Sequence, residues 1–277
     1  MPELPEVETV CRGLAERLVG RQLVRVQVRR HDLRQPVPRD FADRLAGRRV
    51  VAIDRRAKYM LWHLSDGGVV IGHLGMSGRM CVQQAPAPSL GTHDHVVFET
   101  DEQQVVVYND PRRFGLLLLS TEADLGAHAL IKELGPEPLA DAFTGPVLRA
   151  ALRGKRGPIK TVLLDQTVVA GLGNIYVCEA LHRAHISPLR AAGSLSPREA
   201  GRLVDAIKAV LAAAIAAGGS TLRDYVQADG ELGYFQAQFT AYGREGAACQ
   251  TARCRGALIE RIVQGGRATY YCPRCQK

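Results

Sequence analysis

Residues 59–74 read Tyr59-Met60-Leu61-Trp62-His63-Leu64-Ser65-Asp66-Gly67-Gly68-Val69-Val70-Ile71-Gly72-His73-Leu74. Two short runs of aromatic, β-branched and aliphatic residues flank the turn signal Asp66-Gly67-Gly68, a pattern that predicts strands rather than a helix. Runs of the same kind lie outward at Leu23–Val28, Arg49–Asp54, His95–Glu99, Val105–Tyr108 and Leu116–Leu119. The Pro-rich Ala85–Ser89 and the pair Asp101-Glu102 supply further turn signals between them. Several short strands at close spacing predict a β-sandwich or barrel from Leu23 to about Ser120.

The flanking sequence is helical. Val7, Val10, Cys11, Leu14 and Leu18 recur at helical spacing, and Gly20 closes the element. Pro5 is tolerated in a first turn, and Glu3, Glu6 and Glu8 suit the positive end of the helix dipole. Prolines and glycines between Gly135 and Gly157 predict a linker. Beyond it, Pro158–Asp165 reads as a short helix, and Gly171-Leu172-Gly173-Asn174 as a tight turn into a helix from about Ile175 to Arg183. Ser196-Pro197-Arg198-Glu199 is a capping-box start for a helix carrying Leu203, Ile207, Val210, Leu211 and Ile215, which stops at Gly218-Gly219. Ser220–Phe235 has little periodicity and reads as a loop.

At 277 residues and 46% hydrophobic composition, the chain can build two cores. A net charge of +8 on a folded chain points to a polyanionic partner, most often nucleic acid. No apolar run reaches the length of a membrane span and the acidic N-terminus is unlike a signal peptide, so no membrane partner is expected. Of seven cysteines, four fall in the last 29 residues. Cys249, Cys254, Cys272 and Cys275 form Cys-x4-Cys, a 17-residue gap and Cys-x2-Cys around β-like stretches at Ala257–Val263 and Ala268–Tyr271. That spacing predicts a zinc ribbon, four thiolates around one structural zinc ion, whose binding stabilises a segment too small to fold on apolar burial alone. The ribbon is basic, with Arg253, Arg255, Arg261, Arg267 and Arg274.

Other motifs carry two readings each. Pro2 directly follows Met1, and removal of Met1 would leave a secondary amine, a nucleophile where an internal proline nitrogen is inert; the same residues also read as a plain helix start. Arg55-Arg56-Ala57-Lys58 reads equally as a phosphate contact and as solvated edge charge. In Gly72-His73-Leu74-Gly75-Met76-Ser77-Gly78 and Asp110-Pro111-Arg112-Arg113-Phe114-Gly115, an apolar residue sits on a tight turn. Either residue could wedge between base pairs beside an arginine, or pack back on the core. Asn174 could cap its helix or help bind phosphate at the helix start, and Lys155, Arg156 and Lys160 line the preceding run.

The start Pro2–Thr9 closely resembles the bacterial formamidopyrimidine-DNA glycosylase family. So do Arg56–Tyr59, His73–Gly78, His93-Asp94-His95, Asp110–Gly115, Leu134–Leu139, Gly171–Tyr176, Gly218–Leu222, Tyr242-Gly243-Arg244 and the tail through Cys275. The resemblance spans the chain in order. It implies an α+β protein with an N-terminal β-sandwich flanked by helices (residues 1–134), a linker (135–154), a helix–two-turn–helix domain with a lesion-recognition loop (155–235) and a zinc finger (236–277). It implies a monomeric bacterial enzyme of the cytoplasm and nucleoid that excises oxidised purines from damaged double-stranded DNA and nicks the abasic strand.

Carried over by position, Pro2 is the nucleophile and Glu3 the acid that assists base loss and sugar opening. Lys58 and Arg267 are the β- and δ-elimination proton donors. His93, Arg112 and Lys155 match DNA-contact positions, and His73, Lys160, Asn174 and Tyr242 are expected on phosphates. Met76, Arg112 and Phe114 resemble the trio that fills the space of the flipped base, while Ser220, Thr221, Arg223 and Tyr225 lie in the loop that closes over it. The sequence departs from the family's usual Cys-x2-Cys in the first zinc pair, so the first knuckle is expected to differ in shape. Two alternatives are an endonuclease VIII-like enzyme acting on oxidised pyrimidines and a non-catalytic zinc-finger DNA-binding protein. Leu4 and the Met76/Arg112/Phe114 set favour the purine branch.

Overall fold

Apolar side chains at Leu4, Val7, Val10, Cys11, Leu14 and Leu18 share one face of a 15-residue helix, α1 (Leu4–Leu18), and all are buried. Burying a side chain of this size contributes about 1.5–3 kcal/mol, which sets how firmly α1 is held to its neighbours. The computed structural model describes residues 1–84, 89–222, 225–254 and 256–277. Expectations for residues 85–88, for Arg223 and Arg255 and for the Arg253 side chain lie outside the described residues.

The chain divides into two units. Unit 1 comprises Met1–Lys132 and Ala217–Tyr234. After α1 it contains β1 (Leu23–Val28), α2 (Phe41–Leu45), β2 (Val50–Arg56), β3 (Tyr59–Leu64), β4 (Gly68–His73), β5 (Arg79–Gln84), β6 (Asp94–Thr100), β7 (Gln104–Asn109), β8 (Leu116–Thr121) and α3 (Glu122–Leu125). Two four-stranded antiparallel sheets form, in the orders β1-β6-β7-β5 and β2-β3-β4-β8. The stretch 59–74 is the β3–β4 pair, with Trp62 opposite Val70 and Tyr59 opposite His73. Met60, Trp62 and Leu64 alternate into the main core with Phe41 and Phe98, as the pleat requires. Leu61, Val69 and Ile71 face the other way and are covered by Leu125 and Ile131, which is why both faces of this hairpin read as apolar.

The expected strands are present. The sequence reading missed β5, an edge strand with Met80 as its one fully buried residue. An edge strand buries little, so its apolar signal is weak. Its partner is equally cryptic: Val82 N–H donates to Ala228 O at 2.7 Å, stitching the return limb of 217–234 to the edge. Tyr225 and Ala228 enter the main core. Gly13 on α1 makes the fit possible, since a Cβ there would lie 2.8 Å from Ala228 Cβ. Thus 217–234 packs with the sandwich.

Unit 2 comprises Glu133–Ala216 and Phe235–Lys277. It holds α4 (Gly145–Leu152), α5 (Ile159–Leu163), α6 (Asn174–Arg183), α7 (Pro197–Ala216), β9 (Glu260–Gln264) and β10 (Arg267–Tyr271). The expected linker therefore contains a helix, whose Leu148 and Leu152 are buried. The capping box of α7 is formed, with Glu199 N–H on Ser196 Oγ and Ser196 N–H on Glu199 Oε2. The buried face of α7 packs on α4 and α6. β9 and β10 make an antiparallel hairpin whose turn, Gly265-Gly266, has positive φ at both residues, the geometry that glycine adopts without strain. Among the described residues no helix is long and apolar enough to cross a membrane.

Candidate active site

The N-terminal turn is built around Glu6. Pro2, Glu3 and Glu6 are all buried. Glu3 N–H donates to Glu6 Oε2 at 2.8 Å, and the reciprocal bond completes a capping box. The other oxygen, Glu6 Oε1, accepts the N–H of Ser220 at 2.8 Å. One carboxylate therefore fixes both the chain start and the entry to the expected lesion loop. The loop is tied elsewhere too: Tyr225 OH donates to Gly218 O at 3.0 Å, Thr221 Oγ1 to Tyr225 O at 3.1 Å, and Gly233 N–H to Thr221 Oγ1 at 2.8 Å. Burial and the nearby Glu6 charge push the Tyr225 phenol up, which keeps it a neutral donor. The sequence reading gave Glu6 a dipole role and missed this clamp, because its partner is 214 residues away.

Lys58 follows Ala57 in a two-residue turn between β2 and β3, with Ala57 at φ +54°. The turn is braced by Arg55, whose Nη1 donates to Ala57 O at 3.0 Å while Nε pairs with Glu8 on α1 at 2.8 Å. Burial raises the Glu8 carboxyl, but bonds from Arg55 and Arg12 outweigh it and hold the group below its ordinary value. Lys58 itself is buried, 8% exposed. His73, the cross-strand partner of Tyr59, lies 5.1 Å from it ring to ring. Burial, with the cations Lys58 and Arg34, lowers His73 to about 4. Its Nδ1 accepts Gly75 N–H at 2.9 Å. The ring is then neutral at pH 7 with its proton on Nε2, a hydrogen-bond donor suited to an anionic oxygen.

The two wedge-like loops meet. Met76 is 38% exposed and Phe114 is 45% exposed, so neither packs back on the core. The Arg112 guanidinium stacks over the Phe114 ring at 4.7 Å. Gly75, at φ +61°, lies so close to Phe114 and Gly115 that a Cβ would sit 2.4 Å from their backbone. Buried Asp110 holds the arrangement. Its Oδ1 accepts Ser77 Oγ–H at 2.7 Å and Arg112 N–H at 3.3 Å, and its Oδ2 accepts Gly115 N–H at 2.9 Å and Tyr108 OH at 3.3 Å. Its carbonyl accepts from His95 Nε2 at 2.8 Å, and exposed His93 lies next to His95 in ring contact. Asp110 was quoted in the sequence only as part of a turn. A carboxylate before Pro111 on an apolar strand end was the available signal.

Unit 2 assembles the remaining candidates around β10. Asn174 is the first helical residue of α6 and Gly173 is its cap. The expectation that Asn174 caps the helix is corrected: its Nδ2 instead donates to Ala268 O at 2.9 Å. Lys160 is fully buried, with Nζ 3.4 Å from the same carbonyl. These two donors fix the residue next to exposed Arg267. Tyr242 packs edge-on against Tyr270 at 5.1 Å and Phe239 at 5.6 Å. Beneath it, buried Glu179 accepts the N–H groups of Thr240, Ala241 and Tyr242 at 2.7–2.9 Å. Sequence reading missed Glu179, a lone acid amid the apolar residues of α6. Lys155 is half-buried in the run before α5.

The four finger cysteines are buried and their sulfurs lie within 4.8 Å of one another. Cys249–Cys275 and Cys254–Cys272 are 4.0 and 3.7 Å apart, near the ~3.8 Å edge of a tetrahedron with Zn–S bonds of ~2.3 Å. The longer first gap is taken up by a short 3₁₀ turn, Ala252–Cys254, and Cys249 is held by its N–H on Ala257 O at 2.7 Å.

A sandwich with a buried N-terminal turn and exposed apolar loops in one unit, and a four-cysteine hairpin in the other, are the parts of a DNA-repair glycosylase. Sequence families bear this out: the Formamidopyrimidine-DNA glycosylase N-terminal domain matches residues 1–117, the Formamidopyrimidine-DNA glycosylase H2TH domain residues 134–226, and the zinc finger found in FPG and IleRS residues 252–277. The formamidopyrimidine-DNA glycosylases of Rhodospirillum centenum and Acidiphilium cryptum are each 57% identical over the whole of both chains. Among solved structures, a point mutant of Lactococcus lactis FPG in complex with a Fapy-dG containing DNA is 36% identical, covers all of both chains and gives a TM-score of 0.90. The MutM (FPG) protein of Thermus thermophilus is 40% identical over 99% of this chain and 98% of its own, with a TM-score of 0.86. The chain belongs to the formamidopyrimidine-DNA glycosylase family, whose members are bifunctional glycosylase/AP-lyase enzymes. The non-catalytic reading is thereby set aside. The zinc-finger match begins at 252 and so leaves out Cys249, the first of the four clustered cysteines.

Proposed function

We propose that this enzyme removes oxidised purines, 8-oxoguanine and formamidopyrimidines, from damaged double-stranded DNA and cuts the resulting abasic strand. The observation that carries this reading is the Glu6 clamp, which brings the Pro2–Glu3 start and the Ser220 loop entry to one carboxylate. Once Met1 is removed, the Pro2 nitrogen forms a bond to C1′ of the flipped nucleotide, and the glycosidic bond breaks with its electron pair leaving on the base. Glu3 supplies the proton for sugar opening, giving a cationic iminium that acts as an electron sink. Loss of the C2′ proton expels the 3′ phosphate with Lys58 as donor, and a second elimination expels the 5′ phosphate with Arg267 as donor.

Met76, Arg112 and Phe114 fill the space of the extruded base, a role supported by their exposure on loops fixed by Asp110. Ser220, Thr221 and Tyr225 shape the loop over the base. His73, His93, Lys155, Asn174 and Tyr242 are the proposed backbone contacts. Cys249, Cys254, Cys272 and Cys275 hold one structural zinc, which when bound locks the β9–β10 hairpin bearing Arg267.

Borohydride trapping with an 8-oxoguanine duplex tests the chemistry. The chain processed to Pro2 should form a covalent adduct, and the same chain with Met1 retained should bind the duplex without one. An adduct from the blocked chain, or none from the processed chain, sinks the proline mechanism. Faster release of thymine glycol than of 8-oxoguanine would overturn the substrate assignment.

A further inference from the structure

Two buried polar residues on α6, Glu179 and His182, are one turn apart and face the same way. Glu179 is accounted for by the backbone it holds under Tyr242. His182 is 4% exposed, and burying an imidazole without partners costs stability. Its partners are specific. Nε2 lies 3.4 Å from Cys249 Sγ, and Nδ1 lies 2.9 Å from Thr240 Oγ1. Thr240 Oγ1 is in turn 2.7 Å from Glu179 Oε2, and Glu179 Oε1 accepts Tyr242 N–H at 2.7 Å. A line of polar contacts at hydrogen-bonding distance thus runs from a finger cysteine to the backbone of Tyr242.

We infer that His182 is a positioning residue for Cys249, donating an N–H···S bond that aims this sulfur at the metal and couples it to the Glu179 cradle under Tyr242. The inference rests on the proposed zinc reading of the cysteine cluster. Partners of this kind orient metal ligands and tune them. Cys249 is the cysteine with most need of one: it stands outside the matched finger segment, at the far side of the four-residue gap. The finger supplies its own hairpin for the second cysteine pair, whereas α6 supplies a side chain to Cys249 of the first.

Full-length protein carrying His182→Phe, which fills the space without a donor, and His182→Gln, which keeps one, tests the assignment. Zinc content, the rate of zinc transfer to a chromophoric chelator, the sulfur-to-cobalt charge-transfer band after cobalt substitution, and affinity for an undamaged duplex are compared. We expect zinc transfer about 10-fold faster in His182→Phe, a charge-transfer band moved to longer wavelength and weaker duplex binding, with His182→Gln recovering part of each. Should His182→Phe fail to fold, Thr240→Val removes the hydroxyl that orients the ring and should shift the same band. A wild type without zinc overturns the zinc reading and this inference together. A zinc-loaded wild type whose folded variants match it in transfer rate and cobalt spectrum overturns this inference alone.

Discussion

Glu6 and Ser220, 214 residues apart, are joined by a 2.8 Å hydrogen bond from the Ser220 N–H to Glu6 Oε1. The opposite oxygen holds Glu3 N–H, so both faces of the carboxylate must accept. Glu6→Gln turns one acceptor into an amide donor facing an N–H. We predict an excision rate lower by about 10–100-fold in single turnover, the scale of a small misplacement of reacting groups. Stability should fall by about 1–3 kcal/mol for the unsatisfied buried donor. Unchanged excision kinetics would show that the clamp has no part in catalysis.

Asp110→Asn should disturb the two loops without touching the proposed wedge residues Met76, Arg112 and Phe114. Ser77 Oγ–H, Arg112 N–H and Gly115 N–H all point at its carboxylate. Hydrogen bonds to a buried charge contribute about 1.5–3 kcal/mol each, and the amide must present a donor to one of these groups. The urea midpoint should fall by an amount equivalent to about 2 kcal/mol, with weaker discrimination of damaged over intact duplex. An unmoved midpoint would show that the hub is dispensable.

Acid should destabilise unit 1 through His73. Its folded value of about 4 lies below the ordinary 6.5, with burial the largest cause. Between those values the unfolded chain binds the extra proton, so stability is full above about 6.5 and is lost as pH falls through about 4. The loss is of order 3 kcal/mol. Urea unfolding at neutral and acidic pH, repeated for His73→Gln, isolates it. Equal acid losses in both proteins would remove His73 as the cause.

Cys249 is predicted to be a full zinc ligand despite its displaced position. Cys249→Ala and Cys254→Ala should lose zinc alike, and chelation of the wild type should weaken duplex binding while the sandwich keeps its folded far-UV signature. Retention of stoichiometric zinc by Cys249→Ala would restrict the site to the other three cysteines.

What the sequence revealed and what it hid follow from where the partners lie. The hairpin at 59–74, the helix at 4–18, the capping box at Ser196 and the cysteine spacing are local patterns, readable within a few residues. Glu6 and Glu179 act on backbone groups brought in from elsewhere, and a carboxylate that accepts distant N–H groups leaves no mark in its own neighbourhood; Asp110 binds nearby N–H groups, but its link to Ser77 spans 33 residues. Strand β5 was silent because Met80 is its one buried residue, which leaves little apolar alternation to read. The capping reading of Asn174 failed, and the burial of Lys160 went unseen, for one reason: both direct a donor at Ala268 O, a carbonyl that sequence cannot place beside them.

The return of 217–234 to the sandwich makes unit 1 a discontinuous module. A gene fragment ending at Lys132 would encode every strand of both sheets yet omit Tyr225 and Ala228 from the core and leave the β5 edge bare. Such a fragment should expose a sticky edge and aggregate, so the sandwich could not have been exchanged between proteins by simple cut-and-join recombination. Inheritance of this sandwich requires inheritance of the sequence inserted between Lys132 and Ala217, which ties the 217–234 limb and the N-terminal turn to one evolutionary unit.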